Sequence, residues 1–127
     1  MRGQITYRQR AQQLRNFTGL LFGSITPTDI DGFIEYKNRA YIIIEMKLDE
    51  VEVPFGQMLA LERLCDDLQK EKQCLLIVAQ HNYRPEQDID FANCQVSKYR
   101  SRGKWITPES SITVKKLIDE FLKRFIN

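Results

Sequence analysis

The sequence predicts a single α/β domain, residues 1–127, in which a mixed central β-sheet is flanked by helices. Three segments carry that expectation. Residues 29–47 hold two runs rich in β-branched and aromatic residues, DIDGFIEY and AYIIIEMK, on either side of Lys37-Asn38-Arg39, which reads as a hairpin. Within residues 54–72, Gln57, Leu61, Leu64 and Leu68 recur at helical spacing with charges on the other side. Residues 74–80, CLLIVAQ, are apolar until the last, the pattern of a central strand covered on both faces.

The other elements follow in chain order. Tyr7, Ala11, Leu14 and Thr18 recur at helical spacing and predict a first helix over residues 5–18, ended by Gly19. The apolar segment Leu20–Ile25, broken by Gly23 and punctuated by Pro27, predicts a strand. Residues 91–106 alternate loosely around the turn-like Ser101-Arg102-Gly103-Lys104 and predict a further strand or hairpin. Val114, Leu117, Ile118, Phe121 and Phe125 mark a C-terminal helix, with Ser110 or Ser111 as its cap.

Composition narrows the function classes. Apolar residues at 43% and charged residues at 28% are ordinary for a globular domain, and no run is long enough to cross a membrane. The basic start of the chain lacks the apolar stretch of a secretory signal, so the expected location is cytoplasmic. Cys65, Cys74 and Cys94 form no CxxC pair, and their odd number argues against a closed disulfide framework. They are also too few for a four-cysteine zinc or iron–sulfur site, and His81, the sole histidine, has no cysteine near it in the sequence, which leaves reduced, structural thiols. The net charge of +2 does not by itself call for nucleic acid, but its distribution is uneven. Arg2, Arg8, Arg10 and Arg15 precede the first acidic residue, Asp29, and Lys98, Arg100, Arg102 and Lys104 form a second basic run.

Glu45 and Lys47 stand at the end of a strand that should be buried, where charge is costly unless something pairs with it. A three-residue connection through Lys37, Asn38 and Arg39 sets Asp31 directly opposite Glu45, so that Asp31, Glu45 and Lys47 share one face. A two-residue turn would send the carboxylates to opposite faces. The longer connection is favoured because Asn38 tolerates the left-handed conformation such a loop requires.

Two carboxylates about 4 Å apart repel by about 4 kcal/mol at an effective dielectric near 20, so both stay ionised only beside a cation. Oxygen ligands from Asp31 and Glu45, with the carbonyl of Met46 as a third, select Mg²⁺, or Mn²⁺ as its substitute. With the Lys47 ammonium to orient or deprotonate water and the Gln57 amide to position water, ligand or phosphate, the set suits phosphodiester hydrolysis. The competing reading is a cross-strand ion pair at the end of the sheet.

Asp31, then Glu45-Met46-Lys47 after a hairpin, then Gln57 on the next helix, resembles the PD-(D/E)xK nuclease superfamily over residues 5–80. The resemblance implies a restriction-endonuclease-like αβββαβ core, with Mg²⁺ on Asp31 and Glu45, Lys47 assisting the water, and Gln57 in the place of the glutamine that follows the motif in RecB-like members. Asp29, in Pro27-Thr28-Asp29, is a rival for Asp31 because it lies on the same strand face. Leu61 stands where RecB-like members often carry tyrosine, which leaves a RecB-like or a Holliday-junction-resolvase-like branch open. A second copy of the short motif, Glu35-Tyr36-Lys37, lies beside the turn and is read as a decoy.

If residues 97–105 are extended, Lys98, Arg100, Arg102 and Lys104 project to one side at period two, with Tyr99 and Trp105 on the other, a stripe suited to DNA phosphates. The bland counterpart is a solvated edge strand. The expected activity is Mg²⁺-dependent DNA endonuclease or exonuclease cleavage in recombination or repair, by a homodimer or a larger DNA-processing complex. The alternatives are a non-catalytic DNA-binding or assembly protein that keeps the fold, and a protein-interaction module.

Overall fold

The computed structural model describes residues 14–49 and 51–125. The chain enters its sheet at β1, Gly32–Tyr36, and turns through Lys37, Asn38 and Arg39 into β2, Ala40–Leu48. Lys37 and Asn38 adopt φ of 50° and 58°, and the Arg39 N–H closes on the Tyr36 carbonyl at 2.8 Å. The Glu35 carboxylate accepts the Asn38 N–H, so the decoy motif supplies a loop support. Lys72 donates to the Asn38 side chain from across the sheet face. Pairing runs antiparallel from Tyr36↔Ala40 to Gly32↔Ile44, and its next step sets Asp31 opposite Glu45, as the three-residue connection predicted.

Helix α1, Phe55–Gln69, then crosses to β3, Gln73–His81, which runs parallel to β2 from Ala40↔Gln73 to Leu48↔His81. β3 is the middle strand, and Cys74 through Ala79 are all buried, as its apolar run predicted. β4, Gln95–Ser101, returns antiparallel, turns at Arg102-Gly103 and pairs with the short β5, Lys104–Ile106. The five strands lie in the order β1-β2-β3-β4-β5. Helix α2, Val114–Leu122, continues as a 3₁₀ turn over Lys123–Phe125. The result is one small α/β unit with a mixed sheet, in which no described helix is long and apolar enough to cross a membrane.

Strand alternation divides the interior into two cores. Ala40, Ile42, Ile44, Leu75, Ile77 and Ala79 face α2 and meet Val114, Leu117 and Phe121. Ile43, Cys74 and Leu76 face α1 and meet Leu61 and Cys65. All three cysteines are free and buried, in keeping with structural thiols. α1 is also held at its outer side, where Arg100 of β4 reaches Asp66 through two hydrogen bonds of 2.8 Å and lies 3.5 Å from Glu62. The Trp105 indole N–H donates to Glu62 at 2.7 Å.

Several expectations are corrected. Residues 14–18 are not helical: the Asn16 side chain accepts the Thr18 N–H at 3.0 Å, a local bond that competes with helix, and a turn follows at Thr18-Gly19. The rest of the predicted first helix lies outside the described residues. Leu20–Ile25 joins no sheet, because Gly23 at φ 68° lets Phe22 and Ile25 bond to each other across a tight turn. Only two described sheet strands therefore precede α1, where three were expected. Cys65 takes the buried position assigned to Leu64, which is 37% exposed. Thr113, rather than Ser110 or Ser111, caps α2 by accepting the Lys116 N–H at 3.2 Å.

Replacing Arg100 with alanine is expected to cost about 2 kcal/mol in urea unfolding, since the partly buried Asp66 and Glu62 lose their cation. A double-mutant cycle with Asp66→Ala should show the two losses to be non-additive.

Candidate functional site

The face of the sheet beneath α1 is apolar at one end and polar at the other. Ile43, Cys74 and Leu76 fill the apolar end, and two residues further along β2 the alternation brings Glu45 and then Lys47 to the same face. Gln57, in the first turn of α1, donates its Nε2 proton to Glu45 Oε1 at 2.9 Å. The expectation that Gln57 turns inward is met.

Glu45 is the only buried charged residue among those described, at 6% exposure. Its second oxygen, Oε2, is buried with no hydrogen-bond partner among the described residues. Burial, then the negative charge of Asp31, raise its pKa from 4.5 to about 7, against the opposing hydrogen bond from Gln57. Asp31 is aimed at this place by the Met46 N–H, which donates to its Oδ2 at 2.7 Å. In a strand the N–H and C=O of one residue point to the same side, so the Met46 carbonyl also faces the edge where β1 has ended. Its side chain packs the opposite way, against the α2 core.

Asp29, the rival ligand, lies 3.3 Å from the Arg15 guanidinium in an exposed pair, and its charge also acts on Glu45. That contact also gives Arg15 an acidic partner, which its sequence surroundings did not suggest. Lys47 pairs with neither carboxylate, nor with any other described residue, so the predicted alternative of a cross-strand ion pair is not formed. A cation bound from outside would balance the charge of the Asp31–Glu45 pair.

The donor set fits such an ion. Among the described residues there is no cluster of three or more His, Cys, Asp and Glu side chains, so an ion at this place would rest on two carboxylates, the Met46 carbonyl and water. An all-oxygen set with water completing the shell is the preference of Mg²⁺ and Mn²⁺. The orphaned Oε2 of Glu45 is the atom that gains most from a cation.

The predicted basic stripe is not continuous. The turn at Arg102-Gly103 folds residues 97–105 into a hairpin. Arg100 and Trp105 then pair directly and share the α1 face, rather than lying on opposite sides. Lys98 lies over the Trp105 ring at 4.4 Å, Arg100 is committed to Asp66, Arg102 occupies the turn, and Lys104, opposite Ser101, falls on the other face. In the loop after β3, Arg84 pairs with Glu86 at 2.8 Å and Tyr83 stacks on His81. Sequence reasoning passed over Gln80, which ends the apolar run of β3 in register with Lys47; a polar residue closing such a run was the available signal.

Comparison with protein-family models, with curated proteins and with solved structures finds no match to this chain.

Because the folded pKa of Glu45 lies above its ordinary value, the unfolded chain releases the proton first, and the metal-free protein loses stability as pH rises from about 4.5 to about 7. The loss should total about 3 kcal/mol. Urea unfolding in EDTA at pH 5 and pH 8 measures it, and Glu45→Gln should abolish the difference while raising stability at pH 8.

Proposed function

We propose that this protein is a metal-dependent nuclease that hydrolyses DNA phosphodiester bonds, and that it is a PD-(D/E)xK enzyme. The observation that carries the reading is the buried, half-unpartnered Glu45 beside Asp31, with Lys47 and Gln57 on the same face. A structural carboxylate buried to this degree would normally have both oxygens satisfied. The finer fold assignment, a restriction-endonuclease-like core, rests on the hairpin, helix and parallel strand that span residues 32–81.

Asp31, Glu45 and the Met46 carbonyl would hold the ion. Bound there, Mg²⁺ supplies charge to polarise a phosphoryl oxygen and to acidify water. Gln57 fixes the Glu45 carboxylate through Oε1, which keeps Oε2 directed to the site. Lys47, free of any described carboxylate partner, orients the attacking water and balances charge that grows on the phosphate. Lys98 is the basic residue of the β4–β5 hairpin that shares the site's face without an acidic partner. A cytoplasmic location and a homodimer or larger DNA-processing complex belong to the same reading.

The test is cleavage of labelled linear, single-stranded and branched DNA in Mg²⁺, Mn²⁺ or EDTA. Wild type should cut with either ion and not in EDTA. Glu45→Ala and Lys47→Ala should each lower the rate by about a hundredfold or more, the scale of losing a ligand or an acid–base group. Wild-type protein that binds DNA without cutting in any ion would establish a non-catalytic DNA-binding role instead.

A further inference from the structure

The polar end of the α1 face does not stop at Lys47. β3 presents Cys74, Leu76 and Val78 to that face and then Gln80, in register with Lys47. The Ser97 hydroxyl donates to Gln80 Oε1 at 3.1 Å. Ser97 reaches it because β4 carries a bulge: Val78 pairs with Lys98, but the next residue, Ala79, pairs with Val96. In a regular ladder Ser97 would lie opposite Ala79 and turn to the α2 face. As the extra residue it is free to turn to Gln80, and bulges beside sites commonly re-aim a side chain in this way.

With Oε1 occupied, the amide nitrogen of Gln80 keeps two protons that no described residue accepts. Lys98 follows on the same face, its ammonium 4.4 Å from the Trp105 ring centre. Adjacent strands are about 4.8 Å apart, so Gln80 lies about 5 Å from Lys47 and Lys98 about 10 Å from Glu45 across the sheet. Donors thus continue from the carboxylates toward β4, and each suits an anionic oxygen.

We propose that Gln80, oriented by Ser97, and Lys98 bind the phosphate neighbouring the one that is cleaved, so that the substrate is a polynucleotide strand crossing the sheet from β2 toward β4. The inference rests on the nuclease reading above. It assigns Gln80 and Lys98 to substrate binding and Ser97 to positioning.

The experiment measures binding of fluorescent DNA oligonucleotides, from dinucleotide to octanucleotide, in Ca²⁺, alongside steady-state cleavage of the octanucleotide in Mg²⁺. Wild type should gain affinity as the strand lengthens. Gln80→Leu should lose about tenfold of that gain, the scale of a hydrogen bond to a charged group, with the cleavage defect in KM rather than kcat. Gln80→Glu keeps the size of the side chain and can still accept from Ser97, yet should bind more weakly than Gln80→Leu because it turns a negative charge on the phosphate. Ser97→Ala should lose part of the length gain, and Lys98→Ala should reduce the salt slope of binding by about 1. If wild type binds and cuts while Gln80→Leu and Gln80→Glu match it at every length, this inference falls and the nuclease reading stands. If wild type neither binds nor cuts, both fall. Thermal melts of each variant identify a chain that has lost its fold, and Gln80→Glu or Ser97→Ala then decides the matter.

Discussion

The length of the connection between β1 and β2 governs which face of the sheet each side chain of that hairpin occupies. With Lys37, Asn38 and Arg39 between the strands, Tyr36 pairs with Ala40, and every later pair follows from that one. Ile42 and Ile44 turn to α2, Ile43 and Glu45 to α1, and Asp31 arrives beside Glu45. One residue fewer would set Asp31 opposite Met46 and send the two carboxylates to opposite faces of the sheet. The loop is accordingly well supported: two residues accept left-handed backbone, Glu35 takes the Asn38 N–H, and Lys72 holds the Asn38 side chain.

Given that register, the α1 face becomes a gradient from oil to water. Leu61 and Cys65 cover its apolar end, Gln57 stands over the boundary, and polar side chains continue along β2 and β3 beyond it. Burying Glu45 at that boundary opposes folding, since desolvation and Asp31 both disfavour its charged form. Dense packing around β3 and the Arg100 contacts to α1 offset the cost. A fold that carries such an unfavourable charge at one place, on otherwise self-consistent elements, has the pattern of a site shaped for something besides stability.

The parts of this arrangement that depend on near neighbours were legible in the sequence. Asn38 and the odd connection gave the register, CLLIVAQ the buried central strand, and the spacing from Gln57 the inward glutamine. What depends on distant partners was not. Nothing near Arg100 in the chain points to Asp66 and Glu62, which lie more than thirty residues away. The bulge at Ser97 follows from how β4 meets β3, and Trp105 changes face because the chain reverses at Arg102-Gly103. Leu20–Ile25 failed for another reason: hydrophobicity alone cannot tell a sheet strand from a tight turn whose apolar ends bond to each other.

The candidate residues Asp31, Glu45, Lys47 and Gln57 lie within a single stretch of the chain, and the contacts among them span only twelve to fifteen residues. A hairpin can bring the two carboxylates together early, on the microsecond scale of local structure, while both are still in water. Their desolvation requires α1 over the face and β3 against β2. The electrostatic cost therefore attaches to the long-range contacts of α1 and β3 rather than to the hairpin itself. An ion that binds both carboxylates would act on those same contacts, holding the hairpin, α1 and β3 together as one clasp.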